Sequence, residues 1–155
     1  MRRPVKRNFT TTPDHVHGSL EVAKFINYIM QRGKKETARK IVYGAFDQIK
    51  ASEKTDPLKI FNEAIKNVGP NMEVRSRRVG GANYQVPREV RPDRKAFLAM
   101  KWIIEAANAR TGSPMEKRLA EEIILASKGE GEAAKKRENT HKMAEANRAF
   151  AHFAW

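Results

Sequence analysis

MEVRSRRVGGANYQVPREVRPDRKAFLAMKW, residues 72–102, is the stretch from which the architecture of the chain is read. Two runs of about eight residues flank Gly80-Gly81, and an extended run alternates its side chains between two faces. On the first run Met72, Val74, Ser76 and Arg78 share one face, and Glu73, Arg75, Arg77 and Val79 share the other. On the second run Tyr84, Val86, Arg88 and Val90 share a face. The residues suited to a core, Met72, Val74, Val86 and Val90, all stand at the base, and nothing from Arg75 to Gln85 looks able to fill one. Tight hairpin turns need positive φ, which glycine adopts freely, so Gly80-Gly81 closes a β-hairpin over residues 72–90. A strand of about eight residues reaches roughly 25 Å, which predicts a tip standing clear of the body.

Arg75, Arg77 and Arg78 crowd this hairpin, with the stackable ring of Tyr84 nearby. One reading is a solvated hairpin whose arginines keep an open edge from aggregating. The other is a finger for a polyanion, and cations beside an aromatic platform favour it. Pro92 then opens a helix that runs to about Arg110. Phe97, Met100, Ile104 and Ala107 form its core face, while Arg91, Arg94, Lys95 and Lys101 gather on the opposite side. Leu98 and Trp102 border the basic side, and Trp102 is read as packed in place rather than stacked on a base.

Upstream, Ser19 caps a helix carrying Val22, Phe25, Ile26, Ile29 and Met30 at helical spacing, with Gly33 as its stop. A second helix follows the basic turn Arg32-Gly33-Lys34-Lys35 and buries Ala38, Ile41, Val42, Ala45, Phe46 and Ile49. So short a connection predicts antiparallel neighbours. Asp56-Pro57 starts a third helix with Leu58, Phe61, Ile65 and Val68 inward, ended by Gly69-Pro70. Downstream, Ser113-Pro114-Met115-Glu116 reads as a capping box for a fifth helix. Met115, Leu119, Ile123 and Ala126 face inward there, and Glu116, Glu121 and Glu122 give it an acidic outer face. A last basic helix over 132–155 has only the narrow stripe Met143, Ala146 and Phe150. The predicted fold is mainly α: a single domain of about six helices with one protruding β-hairpin between helices three and four.

The charge is unevenly placed. The 155 residues carry 31 Lys and Arg against 18 Asp and Glu, a net charge of +13. Residues 1–12 carry +4, residues 73–101 carry +5 and residues 135–148 carry +3, whereas residues 102–134 carry −2. Solubilising charge would be spread evenly, so a basic arm over 1–18 (Arg2, Arg3, Lys6, Arg7), a hairpin-helix unit and a basic tail point to a folded polyanion gripped on several sides. Without cysteine, disulfides and thiol chemistry are excluded. No apolar run is long enough to span a bilayer. The N-terminal stretch has no apolar segment of the secretory kind and reads as a mature arm. Asp14, His15 and His17 lack the regular spacing of a metal site. Gly80-Gly81 joins two strands and matches neither phosphate-loop nor dinucleotide fingerprints. No catalytic residues, metal, cofactor or small-molecule substrate are called for.

Three runs carry a resemblance: VRSRRVGGANYQVPREVRP (residues 74–92), KKRENTHKMAEANRAFAHF (135–153) and RGKKETA (32–38). From about Leu20 to Trp155 the chain resembles the family of bacterial ribosomal protein seven of the small subunit. That resemblance implies a cytoplasmic, single rRNA-binding domain over 1–155 that binds the 3′ major domain of small-subunit rRNA and nucleates assembly of the head. It implies exit-site tRNA and mRNA near the hairpin, ribosomal protein eleven of the same subunit as a neighbour, and proteins nine and thirteen as further neighbours. Carried over by position, it sets Arg32, Lys34, Lys35, Arg75, Arg77, Arg78, Arg91, Arg94, Lys95 and Lys101 at RNA-facing surfaces. It adds Lys135, Lys136, Arg137, His141 and Lys142 from the tail, and makes Gly80, Gly81 and Tyr84 the tip toward tRNA and mRNA. Arg88, and Phe153-Ala154 before Trp155, depart from the family pattern. The rival reading is an architectural DNA-binding protein with the hairpin as a groove-binding arm.

Overall fold

The structure is a computed structural model and describes residues 11–153. Helices α1 (Leu20–Ile29), α2 (Lys35–Glu53) and α3 (Pro57–Val68) precede a hairpin of β1 (Met72–Val79) and β2 (Ala82–Glu89). Helices α4 (Pro92–Ala109), α5 (Met115–Ser127) and α6 (Gly131–Ala146) follow, then a terminal 3-10 helix over Arg148–Phe153. Among the described residues this is one mainly helical domain with one two-stranded antiparallel hairpin between α3 and α4, as predicted.

Helices α1 to α5 build the core. Phe61 lies with its ring centroid 5.0 Å from that of Phe25 and 5.6 Å from that of Phe46. Val42, Ile103, Leu119 and Ile123 are fully buried in the same cluster. Local chemistry starts two of the helices as expected. The Ser19 side chain accepts from the Val22 N–H at 3.4 Å, and Asp56 accepts from the Leu58 N–H at 3.0 Å ahead of Pro57. Helix α1 stops at Ile29, before Gly33, because Met30 turns extended (ψ 128°) while still donating to the Ile26 carbonyl at 3.0 Å.

Four expectations are corrected. The capping box at Ser113 does not form: Pro114 is the N-cap residue of α5, which leaves Ser113 one position too early to cap it. Glu122 is not on an outer face but fully buried. Its Oε2 lies 2.5 Å from Arg110 Nη2 and its Oε1 accepts from the Ala133 N–H at 3.1 Å, so it ties the end of α4 to the start of α6. The buried face of α4 comprises Leu98, Ala99, Met100, Trp102, Ile103, Ala106 and Ala107, while Phe97 and Ile104 are half-buried. Helix α4 packs against α1, α3, α5 and α6, which widens its buried face to include Trp102. On α6 the buried residues are Ala133, Ala134 and Ala144, not the stripe of Met143, Ala146 and Phe150, and Met143 is exposed.

The hairpin pairs Met72 with Glu89, Glu73 with Arg88, Val74 with Pro87, Arg75 with Val86 and Arg77 with Tyr84. Opposed residues share a face, so Val86 sides with Arg75 and Glu73, and Val74 sides with Pro87. A proline is tolerated because each strand of a two-stranded sheet has an open edge. At the turn Gly80 (φ 56°) and Gly81 (φ 89°) both take the positive φ that a two-residue hairpin loop demands. The tip is exposed, but α6 and the terminal 3-10 helix run beside the strands.

Candidate nucleic-acid interface

The base of the hairpin and the start of α4 enclose a polar hollow of about 240 Å³, lined by Glu73, Arg75, Arg88, Glu89, Arg91 and Arg94. Strand alternation presents Glu73, Arg75 and Arg88 on one face, and Arg91-Pro92 turns the chain so that the first turn of α4 closes the far side. Arg75 puts both Nε (2.7 Å) and Nη2 (2.6 Å) on Glu73 Oε1, and Arg94 Nε lies 3.4 Å from Glu73 Oε2. The Arg94 guanidinium also sits 5.1 Å from the centre of the Phe97 ring, within cation–π range.

The other predicted residues divide by what they touch. Arg32, Lys34, Lys35, Arg78 and Arg91 are exposed, Arg32 and Lys34 on the turn between α1 and α2 and Lys35 at the start of α2. Arg32 itself takes φ 51° in that turn. Lys101 (3.7 Å) and Lys136 (2.5 Å) share Glu105 across α4 and α6, while Lys135 pairs with Glu132 and Lys142 with Glu138, each at 2.8 Å within α6. These exposed pairs are held weakly and can be exchanged for phosphates. Lys95 donates to Asn71 Oδ1 at 2.7 Å, and Arg137 Nη1 donates to the Asn67 carbonyl at 2.5 Å at the end of α3. His141 Nε2 accepts from the Asn71 N–H at 3.0 Å. Burial, followed by the charges of Arg137 and Lys95, holds the His141 pKa below its ordinary value, which suits a neutral acceptor. Lys95, Arg137 and His141 therefore brace the junction of α3, α4, α6 and the hairpin.

At the tip, Gly80 and Gly81 are bare, with no atom within 4 Å of where a Cβ would stand. Tyr84 is less free than expected. Its ring packs against Phe150 (5.3 Å) and Phe153 (5.2 Å), and Arg77 Nη1 donates to the Phe153 carbonyl at 2.8 Å. Arg2, Arg3, Lys6 and Arg7 lie outside the described residues. Later in the predicted arm, Asp14 is buried, receives the Tyr43 hydroxyl at 2.7 Å and accepts from the Val16 and His17 N–H groups at 3.2 Å each. His17 meets Tyr43 and Phe46 edge-on, so this part of the segment is anchored to the body. Among the described residues no group of three His, Cys, Asp or Glu side chains could hold a metal, and no helix is long and apolar enough to cross a membrane.

Arg88 and Glu73 were missed as site residues. The signal was available in the pairing register, which sets one directly opposite the other.

With this geometry in place, the family profile described as ribosomal protein S7p/S5e matches residues 1–148. The chain belongs to that family. It is similar to the small ribosomal subunit protein uS7 of Thermotoga petrophila, 57% identical over 155 residues and the whole of both chains. It is likewise similar to the uS7 proteins of Parvibaculum lavamentivorans (56% over 143 residues, 92% of each chain) and Anaeromyxobacter sp. Fw109-5 (54% over 154 residues, 99% and 98%). As an S7p/S5e member the chain is a structural protein of the small ribosomal subunit and not an enzyme.

Proposed function

We propose that this S7p/S5e chain binds the 3′ major domain of small-subunit rRNA directly, nucleates assembly of the head, and sets its hairpin tip near exit-site tRNA and the mRNA path. Ribosomal protein eleven is its expected protein neighbour, as the family resemblance implies. One observation carries the reading: four arginines, Arg75, Arg88, Arg91 and Arg94, converge on one open hollow at the root of the hairpin. Exposed Arg32, Lys34 and Lys35 extend the basic surface. RNA helices are read mainly through shape, phosphates and 2′-hydroxyls, which suits Lys and Arg contacts without base-reading side chains.

The deciding experiment is a competition between a transcript of the 3′ major domain and duplex DNA, titrated from 50 to 200 mM salt. If roughly 6 to 10 phosphates are neutralised, affinity for the transcript falls about 10³- to 10⁵-fold over that range. The transcript outcompetes DNA. Equal affinity for duplex DNA would favour an architectural DNA-binding role, and a salt-insensitive isotherm would overturn phosphate recognition. Deleting residues 77–84 is expected to spare rRNA affinity while disturbing tRNA or mRNA handling.

A further inference from the structure

The hollow at the hairpin root contains a carboxylate that an RNA-facing surface should disfavour. Four arginines and two glutamates line it, a local charge of +2 where the arginines alone would give +4. Glu73 is the enclosed acid, its side chain only 11% exposed against 56% for Arg75 and 44% for Arg94. An ion pair with so exposed a partner adds little to folding, and a fixed negative charge repels phosphate. Its geometry suggests another role. Oε1 takes two nitrogens of Arg75 while Oε2 takes Arg94 Nε, so one carboxylate joins the strand arginine to the helix arginine.

We propose that Glu73 is a positioning residue that holds Arg75 and Arg94 as one unit, so that both meet the same backbone phosphate of the RNA seated in the hollow. The inference rests on the rRNA-binding reading above and deepens it. Each guanidinium carries more N–H donors than the carboxylate uses, and both side chains keep about half their surface in solvent. A free arginine loses much rotamer freedom when it grips a ligand. Arginines already fixed by Glu73, and by Phe97 beneath Arg94, lose less of that freedom on binding. Arg88, opposite Glu73 in the register, adds a cation to the same hollow from the neighbouring strand.

The proposal makes a prediction whose sign is unusual. Removing a negative charge from a polyanion-binding surface ordinarily tightens binding. If Glu73 positions the arginines, Glu73→Gln weakens binding of the full-length chain to the 3′ major-domain transcript about tenfold, the value of one charge-assisted contact. In an Arg75→Ala/Arg94→Ala background the same substitution no longer weakens binding and only relieves the repulsion of phosphate. Arg75→Ala and Arg94→Ala each lose about tenfold, and the double variant loses hardly more than either alone, because the two act as one unit.

Thermal melts of each variant report folding alongside the isotherms. Should Glu73→Gln fail to fold, the arginine cycle decides alone, since both arginines are about half exposed. Equal or tighter binding by folded Glu73→Gln overturns the proposal, as do losses that multiply in the double arginine variant. A wild-type chain that ignores the transcript overturns the rRNA reading and this inference with it. Wild-type binding with independent arginines overturns the inference only.

Discussion

The Tyr84 ring lies 5.2 Å from the Phe153 ring at an interplanar angle of 36°, so the last described residue of the chain packs against the second strand of the hairpin. Phe150 approaches the same tyrosine, and Arg77 holds the Phe153 carbonyl. A ring that the sequence offered as a platform for bases is already stacked within the protein.

Phe153→Ala removes the ring contacts with Tyr84 and His152 and keeps the backbone acceptor of Arg77. The loss is expected to be about 1 kcal/mol, read as roughly fivefold faster amide exchange over residues 148–153, with α2 and α3 unchanged. Unaltered exchange would mean that the Arg77 bond alone secures the segment.

Glu122 is fully buried between α4, α5 and α6, joined to Arg110 and to the Ala133 N–H. Glu122→Ala takes the buried acceptor from a helix-start donor and leaves Arg110 only its more exposed bridge to Glu121 at 3.3 Å. The cost of the unsatisfied buried donor is about 1–3 kcal/mol, measurable as a drop in the urea midpoint. A change below about 1 kcal/mol would put the pair among the weak surface bridges.

The Asp14–Tyr43 bond gives stability a pH signature. Burial pushes the Asp14 carboxyl up, but the Tyr43 hydroxyl and the His17 and Val16 N–H groups outweigh it, leaving its pKa below 3.8. The stabilisation is therefore present above pH 3.8 and lost as the pH falls through the lower folded value. Burial first, then the bond to Asp14, push the Tyr43 hydroxyl from 10.0 up to about 12, so that contribution is present below pH 10 and lost as the pH rises through about 12. Tyr43→Phe is expected to cost about 1.5–3 kcal/mol near neutrality, and its denaturation curve to approach that of the wild type in acid. A deficit independent of pH would show that Asp14 is not the partner that matters.

His141 tests the bracing role of α6. Its folded pKa lies below 6.5 because of burial and the charges of Arg137 and Lys95, so the neutral ring is favoured on folding. That contribution holds above pH 6.5 and is lost as the pH falls through the folded value. An NMR titration of the ring is expected to place its midpoint below 6.5, and the Asn71 amide to shift with it. A midpoint at or above 6.5 would favour a cationic contact over the neutral acceptor.

What could be read in the sequence follows from the range of the interaction. The hairpin, Ser19 and Asp56 were legible because turn chemistry and capping act within a few residues. Phe25, Phe46 and Phe61 were legible because helical spacing of large apolar residues leaves few alternatives. Glu122 was misread because glutamate on a helix is usually solvated, and its partners Arg110 and Ala133 lie 12 and 11 residues away. The inward face of α6 was illegible for a related reason: Ala133 and Ala144 flank Arg137 and His141, small and polar residues that reach the body by bonds instead of bulk. In the site, the basic residues other than Arg88 were named, but their grouping around Glu73 depends on strand register and on where α4 begins.

This thin face of α6 gives the domain two tiers of cohesion. Helices α1 to α5 share a large aromatic and aliphatic core, whereas α6 is joined by alanines, the Arg137 and His141 bonds and the Glu122 cap at its start. Segments with few large buried side chains open first. The hairpin root shares Asn71 with α6, through the bond to His141. Transient opening is thus expected to release α6 and the hairpin root together as one cooperative unit, while the five-helix body stays closed and keeps Arg32, Lys34 and the α2 start at Lys35 in place.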